Sequence, residues 1–410
     1  MHEQTFAIIG ASLAGVRAAE TLRSEGFEGR VILIGDERHL PYDRPPLSKK
    51  VLTGETTPES TTLRDATFYD GNQIELVLGS GAVALRPASR EIELANGTKV
   101  VADKVLLATG GRASRLNVPG SDLDGVHVLR SMDDAVTVSA ALKMGPSVVV
   151  IGAGFIGAEV AASARQVGCD VTMIESAPIP LSRVLGPEIG ERYAAEHRRH
   201  GVHLFTGLGV DHIAGQGRVR SVVATDGTEF PADLVVVGVG IQPNVELAAG
   251  IGLMVDNGIV VDELCATANP AVFAAGDVAN HPSLALGRRV RHEQWQHASD
   301  HGAAAAKSML GKGEPYGGVL WFWSDQYNLN LQMAGHPDPG DHIVWRGDLD
   351  SENFCAFYLS DGQLTGAVGV NRPKDVRAVM MLMAAGLSLS PEQLADPSVD
   401  IRKTGFAAAL

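Results

Sequence analysis

The chain has 410 residues, enough for two or three hydrophobic cores, and its 45% apolar and 20% charged residues exclude a disordered polymer. A net charge of -14 argues against nucleic acid as the main partner, because phosphate binding needs a dense cationic surface. Cys169, Cys265 and Cys355 lie far apart with no CxxC or ligand spacing, so neither a disulfide framework nor a metal centre is predicted.

The N-terminal segment runs straight into a strand pattern with no leader-like region, and no apolar run approaches the roughly 20 residues of a membrane span. A cytoplasmic protein is expected. Phe6 to Ile9 reads as a buried strand, Gly10-Ala-Ser-Leu-Ala-Gly15 as a tight turn, and Val16 to Ser24 as a helix. Val31 to Ile34 is the next strand and ends in the acids Asp36 and Glu37. Such a unit suits a dinucleotide: Gly10 allows the turn, a small residue at Ser12 admits a pyrophosphate, and Gly15 lets helix and strand pack closely. The phosphates meet free N–H groups at the positive helix end, and Asp36 is placed to accept from a ribose. Ser12 stands where a glycine is usual.

Further along, "KVLLATGG" (Lys104 to Gly111) is a strand running into a glycine turn. A second complete unit follows: Val148 to Ile151, Gly152-Ala-Gly154-Phe-Ile-Gly157, a helix to Gln166, and Val171 to Ile174 ending at Glu175. An acid at that strand end, with no arginine immediately after it, favours NADH over NADPH. "DLVVVGVGIQPN" (Asp233 to Asn244) and "VFAAGD" (Val272 to Asp277) add two more strand-to-glycine-turn junctions. Beyond Gly318 short alternating strands separated by turn clusters predict an antiparallel sheet, followed by a helix over Asp375 to Leu387.

These motifs together resemble the two-dinucleotide flavoprotein reductases, up to about Pro315. The resemblance implies an α/β fold of two Rossmann-like, glutathione-reductase-like domains plus a C-terminal α+β domain. An FAD domain would span 1–111 and 240–318, an NADH domain 112–239, and an interface domain 319–410. Many relatives pass electrons through a cysteine near the flavin, but none occurs here before Cys169, so a thiol relay is not expected.

Two further stretches narrow the likeness. "PYDRPPLSK" (Pro41 to Lys49) is similar to a segment of oxygenase-coupled ferredoxin reductases and of apoptosis-inducing factor, in which the lysine approaches the flavin. "WFWSDQY" (Trp321 to Tyr327) and "GVNRP" (Gly369 to Pro373) resemble the ferredoxin reductases that serve dioxygenases and haem monooxygenases. By that resemblance Gly10, Ser12, Ala14, Gly15, Asp36, Lys49, Val83, Arg130, Asp277 and Trp295 hold FAD, while Gly152, Gly154, Ile156, Gly157, Glu159, Glu175 and Gly240 meet NADH, with Arg183 near its ribose or phosphate. Lys49, Glu159 and Trp323 are the candidates for the reaction itself: the lysine near flavin N5, the glutamate facing nicotinamide and lysine, the tryptophan at the flavin edge. For Glu159 a plain helix-start acid favoured by the macrodipole is the competing reading.

The implied activity moves electrons from NADH through FAD to an iron-sulfur ferredoxin, a 2Fe-2S protein, that serves an oxygenase. Arg288, Arg289 and Arg291, read as a loop before a helix from about Glu293, are a candidate patch for an acidic ferredoxin. An NADH oxidase or small-acceptor reductase is the alternative enzyme. A redox-sensing interaction protein like apoptosis-inducing factor is the alternative from another class.

Overall fold

The computed structural model describes residues 4–338 and 340–407, which divide into two compact units. The first unit comprises residues 1–43, 59–112 and 241–318, and the second 44–58, 113–240 and 319–410. No helix among the described residues is long and apolar enough to cross a membrane.

The first unit is built on a parallel sheet with strand order Val272–Ala274, Lys104–Leu107, Thr5–Ile9, Arg30–Ile34, Ile74–Val77. Phe6 and Ile8 point to one face and Ala7 and Ile9 to the other, and all are buried. That is why the strand reads as an unbroken apolar run rather than an alternation. The helices Leu13–Ser24 and Trp295–Met309 cover the first face, and a small antiparallel sheet (Ala82–Arg86, Glu91–Leu94, Lys99–Val101) contributes Leu85, Ile92 and Leu94 to the core on the second. The connections "TGG" and "QPN" run side by side, with Asn244 Nδ2 donating to the Thr109 carbonyl at 2.9 Å and the Asn244 amide to Gly110 at 3.0 Å.

In the second unit the parallel order is His203–Thr206, Asp170–Glu175, Ser147–Ile151, Leu234–Val237, Val126–Val128, with the helix Phe155–Gln166 after the central strand. Residues 44–58 group with this unit rather than with the first. The hydroxyl of Ser163, on the helix Phe155–Gln166, donates to the Ser48 carbonyl at 2.8 Å.

The C-terminal module of the second unit is a five-stranded antiparallel sheet, ordered Trp321–Gln326, Leu329–Gly335, Gln363–Val370, Phe354–Ser360, His342–Gly347. One face carries the helix Pro373–Ala384 and the short helices Pro391–Ala395 and Ile401–Ala407. On the other face Leu331, Phe354 and Tyr358 share a core with Leu185, Ile189 and Tyr193 from two helices, Ser182–Leu185 and Pro187–Arg199.

Candidate functional site

In the first unit the chain leaves its central strand through Gly10, at φ +121, where a Cβ would lie 2.0 Å from the Ala108 carbonyl oxygen. Only glycine fits there. A Cβ on Gly15 would sit 2.0 Å from the Gly10 oxygen, so the helix can start this close to the strand only without a side chain. Ser12 is the N-cap of the helix Leu13–Ser24, yet its side chain makes no capping bond. The first-turn amides are left to a ligand, which suits a pyrophosphate. Asp36 is exposed just past the neighbouring strand, as a ribose acceptor needs. This cradle fits the diphosphate and ribose of a dinucleotide.

The second cradle repeats the geometry within its own unit. Gly152 has φ +97, and a Cβ on Gly157 would fall 1.9 Å from the Gly152 oxygen. Gly154 is the N-cap of the helix Phe155–Gln166, has no side chain to cap it, and faces open space. Ile156 is 43% exposed beside it, and Gly240 closes the neighbouring strand at φ +106, also facing open space. Glu175 bridges the two ends of the unit: one carboxylate oxygen accepts from the Ala153 amide at 2.6 Å and the other from Ala177 at 2.8 Å. A carboxylate fixed at that point disfavours a 2'-phosphate by charge. Arg183 is exposed on the helix Ser182–Leu185.

Glu159 is the most constrained ionisable group of the second unit's candidate site. The helix begins at Phe155, so Glu159 sits past its first turn and only 2% exposed. The helix-start reading is therefore corrected: Gly154 has already taken the cap position, and the carboxylate points inward. Its Oε2 pairs with Lys49 Nζ at 2.9 Å and accepts from the Ser48 hydroxyl at 2.5 Å, while Oε1 accepts from Ser324 at 2.6 Å. Lys49 Nζ also donates to the Pro45 carbonyl at 3.1 Å. A buried carboxylate persists only when paired and hydrogen-bonded, and here both oxygens are engaged.

Ser48 and Ser324 were missed by sequence reasoning, because they lie 111 and 165 residues from Glu159. Ser324 belongs to "WFWSDQY", and the contacts of that motif explain its polar half. Gln326 Oε1 meets His197 Nε2 at 2.9 Å, and Tyr327 meets His197 Nδ1 at 3.0 Å. The motif thus docks the C-terminal sheet on the helix Pro187–Arg199 and completes the Glu159 network. Trp323 stacks on Trp321 with centroids 5.0 Å apart.

The remaining candidates are scattered. Val83 is 59% exposed on the strand Ala82–Arg86 of the first unit. Arg130 lies in the second unit, its amide donating to Asp134 and its carbonyl accepting from Arg44. Asp277 is half-buried in the short turn Gly276–Val278. Trp295 opens the helix Trp295–Met309, two residues later than expected, and its indole N–H donates to Asp43 at 2.7 Å. Burial raises the Asp43 carboxyl above its usual range, and the Trp295 bond opposes that shift.

The loop expected at the arginines is corrected. Arg288–Val290 is a strand, Arg289 is bound to the carbonyls of Val261 and Asn280, and Arg291 pairs with Glu293 at 2.8 Å and donates to the Asp277 carbonyl. Arg288 and Arg289 remain exposed on that strand. The free thiols of Cys169, Cys265 and Cys355 are all buried, and burial pushes each away from the thiolate.

Residues 4–302 match the pyridine nucleotide-disulphide oxidoreductase family, and residues 321–405 match the reductase C-terminal family. The chain is 42% identical to rhodocoxin reductase of Rhodococcus erythropolis, over 96% of its own length and 93% of that protein. It is also 42% identical to the ferredoxin–NAD(+) reductase component of the anthranilate 1,2-dioxygenase system of Burkholderia cepacia, over 98% and 99%. Among solved structures, that of the covalent putidaredoxin reductase–putidaredoxin complex superposes with a TM-score of 0.94 at 36% identity, covering 99% of each chain. The chain belongs to the pyridine nucleotide-disulphide oxidoreductase family, with a reductase C-terminal domain, and is an oxidoreductase that uses FAD and NAD(H).

Proposed function

We propose that this protein carries electrons from NADH through FAD to a 2Fe-2S ferredoxin, which in turn serves a monooxygenase or dioxygenase. The observation that carries this reading is the buried Lys49–Glu159 pair, braced by Ser48 and Ser324, in a chain whose three thiols are all buried. Sulfur has no place in the route. Bound FAD supplies the redox chemistry, since it accepts a hydride from a nicotinamide and gives up electrons singly.

The residues of the chain provide position and charge. Gly10, Ser12, Ala14, Gly15 and Asp36 are assigned to the FAD diphosphate and ribose, with Val83, Asp277 and Trp295 of the same unit as further contacts. Arg130 is kept as a candidate from the other unit. Gly152, Gly154, Ile156, Gly157, Glu175 and Gly240 are assigned to NADH, and Glu175 sets the preference against NADPH. Glu159 holds the Lys49 ammonium in one orientation, and that ammonium is the positive charge assigned to the hydride step. Trp323 is the aromatic assigned to the exit of electrons.

Whole-length similarity to ferredoxin reductase components of oxygenase systems supports the acceptor. Free thiols throughout suit a reducing compartment, and cytoplasm is the proposed setting. Cytochrome c reduction by NADH, with and without an added 2Fe-2S ferredoxin, tests the acceptor. Turnover that rises with ferredoxin is expected. Full-rate reduction without it would favour the small-acceptor reading.

A further inference from the structure

The geometry points to His301 as a positioning residue for the flavin, because its imidazole holds the backbone turn that presents Asp277. The inference rests on FAD occupying the first cradle. Three segments of the first unit converge at this turn. Gly276 has φ +75, and a Cβ on it would come within 2.9 Å of the Ala14 Cβ, in the first turn of the helix Leu13–Ser24. Gly302 of the helix Trp295–Met309 is pressed on the same place, since its Cβ would lie 2.2 Å from the Ala14 carbonyl oxygen.

His301, one residue before Gly302, is fully buried and accepts the Gly276 amide on Nδ1 at 3.2 Å. That amide opens the turn Gly276–Val278, whose middle residue is Asp277. Without His301 the amide is a buried donor with no acceptor, which native backbones rarely tolerate. The bond also fixes the tautomer: Nδ1 is the acceptor, so the proton is on Nε2. Two imidazoles and a phenol are among the neighbours of the ring. The centroids of His281, His297 and Tyr316 lie 4.9, 4.8 and 4.4 Å from that of His301.

Two amides separate this role from simple space filling. Asparagine carries its carbonyl oxygen at the position of Nδ1, whereas glutamine carries it one bond further out and fills more of the histidine volume. Apoprotein of the parent, H301N and H301Q is titrated with FAD, following the quenching of flavin fluorescence, with the visible circular dichroism of bound flavin as a second readout. H301N is expected to bind FAD within about threefold of the parent and H301Q roughly tenfold more weakly, the scale of one lost buried hydrogen bond. Equal affinities, or the reverse order, would overturn the role of His301. A parent that takes up no FAD would instead overturn the functional reading beneath it.

Discussion

Replacing Lys49 with methionine removes the cation bound to Glu159 Oε2 and leaves a 2% exposed carboxylate with two hydroxyl donors. Stranding a buried charge costs about 3–5 kcal/mol, and the retained serine bonds place K49M near the lower end, about 3 kcal/mol. E159Q is expected to be milder, about 1–2 kcal/mol. The Lys49 side chain is 15% exposed and keeps the Pro45 carbonyl, so water reaches the unpaired ammonium more easily than the unpaired carboxylate. The double variant removes both charges and should recover about 2 kcal/mol relative to the sum of the singles. Urea unfolding followed by tryptophan fluorescence reads this unit, because Trp321, Trp323 and Trp345 belong to it and only Trp295 to the other. All three variants should also bleach the flavin more slowly with NADH. An E159Q loss as large as that of K49M, or additive single losses, would refute the argument that the carboxylate is the buried partner.

Other expectations follow from the same contacts. S324A leaves Glu159 Oε1 without its donor and should cost about 1–3 kcal/mol while slowing hydride transfer, measured by urea midpoints and anaerobic stopped-flow absorbance. G157A places a Cβ 1.9 Å from the Gly152 oxygen, so NADH affinity should fall more than about tenfold while FAD stays bound, read as NADH KM beside the flavin absorbance. His197 is buried, and desolvation holds its pKa down at about 4 against an ordinary value of 6.5. The unfolded chain therefore binds the extra proton first: this contribution is complete above pH 6.5 and is lost as pH falls toward 4, to the extent of roughly 3 kcal/mol. Urea midpoints between pH 7 and 4.5 should fall less steeply in H197Q than in the parent. Burial alone would raise the Glu196 carboxyl, but Arg199 and Arg192 outweigh it and hold it at about 2, so its contribution is lost only from about pH 4.5 downward.

Features set by local sterics were legible in the sequence. Gly10, Gly15, Gly152 and Gly157 each stand where a Cβ would strike backbone within a few residues or on the adjacent strand, and such constraints leave a spacing that can be read. The alternation beyond Gly318 likewise marked an antiparallel sheet. The short helix Pro391–Ala395 was missed although Ser390 and Gln393 form a capping box, a local signal that was present. Partnerships across the chain were not legible. Nothing near Glu159 announces Ser324, and nothing in the run Arg288 to Arg291 says that Arg289 is spent on two backbone carbonyls. Charge is visible in a sequence, but the distant backbone carbonyls that orient a guanidinium are not.

The central claim is a transfer from nicotinamide to flavin, and from flavin to an iron-sulfur cluster, with no sulfur of this chain in between. Its most direct test is anaerobic absorbance spectroscopy of the C169A/C265A/C355A variant, reduced with one equivalent of NADH and then mixed with oxidised 2Fe-2S ferredoxin. The account predicts flavin bands that bleach at the parental rate and return as the ferredoxin is reduced. Flavin that no longer bleaches in a folded, flavin-loaded variant would contradict it.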